Sequence, residues 1–348
     1  MIMENSFKSL ENSKLTRRNI GIEILRVLLS FWIILLHCYN SKNSTLLLLK
    51  QKKFHVPCFF FISFYFLFPL VSKRSISKFK LRMKKLLIPF YIFPIVIWFV
   101  NNVLFCIFHW NRFNRFLTLY ELRNQLIIGR GIFGIGVLWF QFNLIIFTII
   151  FFIMSFLFKS NFLAIFHIIC IICYYLQYSG INYLFFCNYS ETITYTLGNI
   201  IETLPIAIEA FTFESIKIIE RLKNHHKASK FFSFFGILFL IRYQIFTEPN
   251  GFSSKGVIYL FSSLLLFITF SSININIKNN YANRIIRQIT SYTQGIYCLH
   301  FILYLNLKII INIKDTFSTC FLLYFTTYFI SFIGFKITEK TSLKYLFI

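Results

Sequence analysis

Charge is scarce in this chain. Of its 348 residues only 14% are Asp, Glu, Lys or Arg, while 57% are hydrophobic. A soluble chain of this size carries about a quarter charged residues, so an ordinary soluble enzyme is a poor reading of the composition. Period-two alternation is missing too. The apolar residues form continuous runs, which argues against a membrane β-barrel and for helices. No internal repeat, no low-complexity linker and no soluble domain stands between the runs. No signal peptide is evident; Met1–Asn19 is polar and reads as a cytoplasmic tail. Clustered metal ligands are lacking as well. The eight cysteines are scattered and mostly sit inside apolar runs. Cys170 and Cys173 form a CxxC within IFHIICIICYY, where a small hydrophobe packing in a membrane helix is the ordinary role. His225 and His226 stand together in a basic loop, which is poor evidence for metal, and no metal site is expected.

What the sequence does hold is a series of long apolar runs. They predict an all-α, polytopic membrane protein of about ten spans, each of the length that crosses a hydrocarbon core. The expected spans are 20–40, 54–72, 86–109, 137–158, 162–178, 196–215, 231–248, 256–272, 293–312 and 316–336. Residues 20–336 then form one membrane domain, followed by a cytoplasmic tail at 337–348. The net charge is +24. Nucleic-acid binders place such charge on a soluble face, whereas here it lies in short loops between apolar runs, so no nucleic-acid partner is expected. With the N-terminal tail counted as inside, 23 basic residues fall in inside segments, Lys336 at the edge of the last span included, and 10 in outside loops. The excess marks the cytoplasmic side, which predicts both termini in the cytoplasm. The basic stretch Lys73–Lys85 is expected as a cytoplasmic loop, which also suits it to an anionic cofactor or lipid.

Four polar side chains interrupt the first run, NIGIEILRVLLSFWIILLHCYN: Glu23, Arg26, Ser30 and His37. At about 100° per residue, Arg26 and His37 differ by about 1100°, close to three full turns, and stand about 16 Å apart along the axis. Glu23 and Ser30 fall near the same line, so the four make one stripe. Charged groups in hydrocarbon are costly and face a bundle interior or a water-filled cavity. Two readings stay open. Glu23 and Arg26 can form an i,i+3 ion pair at the membrane surface with Arg26 snorkelling and His37 at the outer interface. Alternatively the stripe lines a functional cavity. Deeper in the chain, Arg242 and Glu202 are expected at similar depth, where they can pair to neutralise one another.

The stretch EILRVLLSFWIILLH, with an acidic residue, Leu-Arg and a His eleven residues after the Arg, resembles the opening of the acyltransferase-3 family of integral membrane acyltransferases. Further stretches resemble that family in the same order: HVPCFFFISFYFL, KKLLIPFYIFPIVIW, VLWFQFNLI and SYTQGIYCLHFIL. The resemblance spans nearly the whole chain. One departure stands out: Phe64 follows Ser63 where the family usually has Gly, which puts substrate preference, and activity itself, in question.

The resemblance implies transfer of an acyl group, acetyl in the expected case, from acyl-CoA to a hydroxyl of a carbohydrate or another membrane-associated or lipid-linked acceptor. Acyl-CoA, with acetyl-CoA expected, is then a donor substrate and not a permanently bound cofactor. His37 is the candidate general base, since a histidine poised near neutral pH can take the hydroxyl proton. Arg26 is the candidate donor-binding residue, with a fork of donors suited to phosphate or carboxylate. Glu23, Ser30, Ser63, Trp139, Tyr297 and His300 are expected to support or line the site. Tyr297 and His300 share a helix face at i,i+3 spacing, though a histidine bonded to a neighbouring helix is an equally ordinary role. Two rivals remain: a transporter of a glycolipid or small solute, and a non-catalytic relative. Against the transporter, no inverted repeat and no matched pair of Gly/Pro-broken helices is present.

Overall fold

The computed structural model describes residues 19–38, 55–108, 116–129, 138–158, 161–178, 191–224, 231, 263–272, 280–311 and 316–348. Among these residues every element is helical. The elements are α1 (Ile20–Cys38), α2 (His55–Ser72), α3 (Ile76–Phe108), α4 (Leu119–Ile128), α5 (Leu138–Phe158), α6 (Phe162–Tyr178), α7 (Glu191–Ser215) and α8 (Ile218–Asn224). They continue with α9 (Ser263–Ser272), α10 (Asn280–Ser291), α11 (Thr293–Ile311), α12 (Phe317–Thr338) and a 3-10 turn at Ser342–Leu346.

Five helices are long and apolar enough to cross a membrane: α1, α2, α3, α5 and α12. They meet five of the about ten spans that the apolar runs predict. Segments 162–178, 196–215 and 293–312 fall on α6, α7 and α11, and 256–272 is described in part as α9. Segment 231–248 lies outside the described residues apart from Phe231. Arg242, His225 and His226, and the side chains of Glu202, Cys170 and Cys173, also lie outside them.

One boundary differs from expectation in a way that matters later. Lys73–Lys85 reads as a loop, yet α3 begins at Ile76 and runs for 33 residues. At 1.5 Å per residue that is about 50 Å, well beyond the ~30 Å hydrocarbon core. Pro89 and Pro94 fall inside α3 without ending it, so the helix continues through both the basic turns and the apolar run. Only the short turn before it is tight: Arg74 takes φ 49°, and its Nε donates to the Ser155 carbonyl at 3.0 Å.

α2 lies at the centre of the packing, against α7 and α5. Its buried rings Phe60, Phe61 and Phe64 meet Phe147 and Phe151 of α5 and Phe211 of α7. Phe64 stands edge-on to all three of those, with centroids 5.6, 6.0 and 6.5 Å away. Such pairs add roughly 0.5–1.5 kcal/mol each beyond the area they bury. Phe64 therefore fills a core where glycine would let backbones approach. Large apolar residues such as Phe99, Ile107, Leu157 and Phe329 point outward, as a lipid-facing surface requires.

α1 packs between two groups, α2 on one side and α10, α11 and α12 on the other. Its start is pinned by Asn19. The Asn19 side chain accepts from the N–H of Gly21 at 2.9 Å and donates to the Ser271 carbonyl at the end of α9 at 2.7 Å. This draws the two backbones so close that a Cβ on Gly21 would overlap the Phe270 carbonyl. The opposite end of the chain also folds back: the Phe347 carbonyl lies beside Gly295 and its ring against Gly334. The start of α1 thus meets the end of α9, and the last residues meet the first turn of α11.

Candidate functional site

The polar stripe of α1 is divided among its neighbours. Glu23 is buried and carries a long ion pair, 3.6 Å, to Arg26. The Arg26 guanidinium also donates to the Thr293 hydroxyl of α11 at 2.9 Å. One turn on, Ser30 turns to α12, where its hydroxyl lies 3.3 Å from that of Tyr324. His37 is exposed near the end of α1. The i,i+3 pair is present, and so is a cavity beside it.

That cavity has a volume of about 380 Å³ and lies between α1, α2, α3, α5 and α11. Glu23, Arg26, Ser63 and Tyr297 line it. Two further cations, Arg82 and Lys85, come into it from the basic turns of α3. Three cations against one carboxylate leave the cavity strongly positive. Arg82 is half-buried and is steadied by two long hydrogen bonds of 3.4 Å, to the Thr148 hydroxyl and to the Ser63 carbonyl. Among the described residues no ion pair to a carboxylate joins Arg82.

A proline sets the wall that carries Lys85. Pro89 has no N–H to offer the Lys85 carbonyl four residues back, and its ring pushes that carbonyl out of the helix. Gln294 of α11 donates to the freed oxygen at 2.9 Å. Gln141 of α5 donates to the next carbonyl, Leu86, at 2.7 Å. Both glutamines line the cavity. An apolar replacement at either would leave a helix carbonyl without its cross-bundle partner, so these residues tie α3 to α5 and α11.

Tyr297 links the cavity to the histidines. Its ring lies 5.3 Å from Phe140, another wall residue, and 6.1 Å from His300. His300 is fully buried, and its ring lies 5.5 Å from that of His37, with planes inclined at 40°. The two histidines, 263 residues apart in sequence, thus meet beyond the cavity wall. Thr293 and His300 are seven residues apart, so the histidine lies about 10 Å further along α11 than the Arg26 contact. Trp139 is not a wall residue. It packs in the core 5.7 Å from Phe60.

Sequence reasoning reached Arg82 and Lys85 only as part of the basic stretch Lys73–Lys85 suited to an anionic cofactor, and it overlooked Gln141 and Gln294. For the two cations a signal existed: their i,i+3 spacing within a basic segment that runs directly into an apolar run. For the glutamines the signal was weaker, a polar amide inside an apolar run, with Pro89 at the end of KKLLIP as the reason one was needed.

A family model described as an acyltransferase domain matches residues 19–336. No curated protein and no solved structure matches the chain.

Proposed function

From the premise that the chain belongs to the acyltransferase-3 family, we propose that it moves an acyl group, acetyl in the simplest case, from acyl-CoA to a hydroxyl of a carbohydrate or other membrane-associated acceptor. The observation that carries the reading is the gathering of Arg26, Arg82 and Lys85 around one cavity. Coenzyme A bears a diphosphate and a further phosphate on one end and its thioester on the other. Three cations with a surplus of positive charge suit the phosphate end. Tyr297 and the histidines lie beyond it in the direction a long thioester arm would extend. Phe64 points into the core, away from the cavity, so it gives no steric reason for loss of activity.

In this mechanism His37 takes the proton of the acceptor hydroxyl as its oxygen bonds to the thioester carbonyl carbon. The carbon–sulfur bond breaks, and the proton on His37 passes to the departing thiolate. The products are an ester and free coenzyme A thiol. Glu23 and Thr293 hold Arg26, and Ser63 and Thr148 hold Arg82, so the cations are positioned before the donor arrives. The bias of basic residues supports a donor entering from the cytoplasm through the end of the bundle where Arg82 and Lys85 lie. The acceptor then approaches His37 from the opposite side.

The test is acyl transfer by the full chain in lipid nanodiscs, followed by release of free thiol from acetyl-CoA, together with mass spectrometry of membrane glycans and lipids from cells with and without the gene. Transfer should fall by about 10²–10⁴-fold in His37→Ala while membrane insertion is kept. An unchanged acylation profile together with no measurable acetyl-CoA binding would reject an acyltransferase.

A further inference from the structure

Resting on the reading of the cation cavity as the donor site, we infer that Phe347 is a positioning residue for donor binding: it seats the first turn of α11, from which Thr293 and Gln294 set two walls of the cavity. Three neighbours meet that turn on three sides. Thr293 accepts from the Arg26 guanidinium of α1 at 2.9 Å. Gln294, about 100° further round the helix, donates to the Lys85 carbonyl of α3 at 2.9 Å. Gly295, about another 100° on, faces the Phe347 carbonyl and Ser331 of α12. The turn that sets the two walls is itself held from the third side.

The segment that carries Phe347 is tied into its path. Beyond α12, the Thr341 hydroxyl donates to the Thr338 carbonyl at 3.0 Å and accepts from the Leu343 N–H at 3.2 Å. The 3-10 turn that follows, Ser342–Leu346, packs against α3 and α12. Leu346 then packs against the apolar cluster that holds Phe93 and Ile97 of α3 and Cys298 of α11. The Phe347 ring lies on Gly334 of α12, and its carbonyl lies beside Gly295 of α11. Two adjacent residues therefore bridge three helices that are far apart in sequence.

Two glycines make the seat. A Cβ at residue 295 would stand 2.6 Å from the Ser331 hydroxyl oxygen and 2.9 Å from the Phe347 carbonyl oxygen, and one at residue 334 would overlap the Phe347 ring. Approach this close needs a residue without a side chain. Turning α11 by one residue would bring Gln294 or Ile296 into that space, so the contact fixes the rotation of the first turn as well as its distance. Rotation is what the cavity needs, because Thr293 and Gln294 reach Arg26 and the Lys85 carbonyl only from this setting. A donor then meets walls that are already ordered, which lowers the ordering cost of binding.

The experiment titrates coenzyme A into nanodisc-embedded Phe347→Ala and Phe347→Leu by calorimetry, with acetyl-transfer kinetics and thermal midpoints alongside. Phe64→Ala, which opens the core away from the cavity, is the stability control. If the seated arrangement falls to between a third and a tenth of the population, the apparent dissociation constant rises about 3–10-fold. That rise is expected in Phe347→Ala, with kcat at saturating acetyl-CoA unchanged because the bound donor restores the arrangement and His37 is untouched. Phe347→Leu keeps an apolar side chain on Gly334 and should bind near the parent value. Gly334→Ala keeps Phe347 but displaces its ring, and it should weaken binding in the same way, which serves if Phe347→Ala does not accumulate. Unchanged affinity in Phe347→Ala and Gly334→Ala, beside lowered thermal midpoints, overturns the inference and leaves a packing role. An equal loss of affinity in Phe64→Ala overturns it too, since affinity then follows stability alone. A parent protein that binds no coenzyme A overturns the donor reading and this inference together.

Discussion

Replacing Arg82 with Gln should weaken acyl-CoA binding more than it weakens the fold. In the parent protein the guanidinium makes two hydrogen bonds of 3.4 Å, beyond the usual 2.7–3.2 Å, so each contributes at the low end of about 0.5–1.5 kcal/mol. Glutamine forfeits little of that. A phosphate in the cavity is different. A unit charge pair at 4 Å gains about 4 kcal/mol at the effective dielectric of a protein surface, and desolvation leaves about 1.5–3 kcal/mol for a charge-assisted hydrogen bond. The dissociation constant should therefore rise roughly 10- to 100-fold. Calorimetric titration of coenzyme A into nanodisc-embedded protein measures it. Raising salt from low to high ionic strength should narrow the gap between the two proteins, because the lost term is Coulombic. Full retention of affinity in Arg82→Gln, with an unchanged salt dependence, would refute the assignment of the cation cavity to the donor phosphates.

Arg26→Lys keeps the charge but loses the fork that reaches both Glu23 and Thr293; donor affinity should fall several-fold in protein that still accumulates, and reduced accumulation with unchanged affinity would assign Arg26 to the fold instead. Gln294→Leu should lower stability by about 1–3 kcal/mol by stranding the Lys85 carbonyl; in a Pro89→Ala background, where residue 89 regains its N–H, the same change should cost much less, and equal costs in both backgrounds would dismiss the proline argument. Phe64→Ala should destabilise the core by about 3–5 kcal/mol, read as a lower thermal midpoint, with donor affinity intact; a large change in affinity would mean that Phe64 shapes the site after all. Cysteine accessibility should place the N-terminal tail and Lys223 in the cytoplasm and Asn182 outside; labelling of Asn182 from the cytoplasm would break the topology.

Hydrophobic patterning alone determined that this is a helical membrane protein, because a backbone in hydrocarbon must satisfy its own hydrogen bonds and long apolar runs leave little choice of structure. Spacing within the first run also determined that Glu23, Arg26 and His37 lie near one line, and the order of short motifs across the chain was enough to reach the family. Helical periodicity states which residues share a face. It does not state what that face meets. Ser30 shares the stripe with Arg26, yet it turns to Tyr324 because α12 rather than the cavity stands beside that turn of α1. Phe64 follows a wall residue, Ser63, but one step along a helix is about 100°, and that step sends it into the rings of α5 and α7. Arg82 and Lys85 joined the site only because α3 starts at Ile76 and packs against α5 and α11, which brings its basic turns to the cavity. Gln294 found the carbonyl freed by Pro89 across 209 residues of sequence, and His37 found His300 in the same manner. Contacts at such separations depend on how ridges and side-chain volumes of several helices fit at once, and no local pattern carries that information.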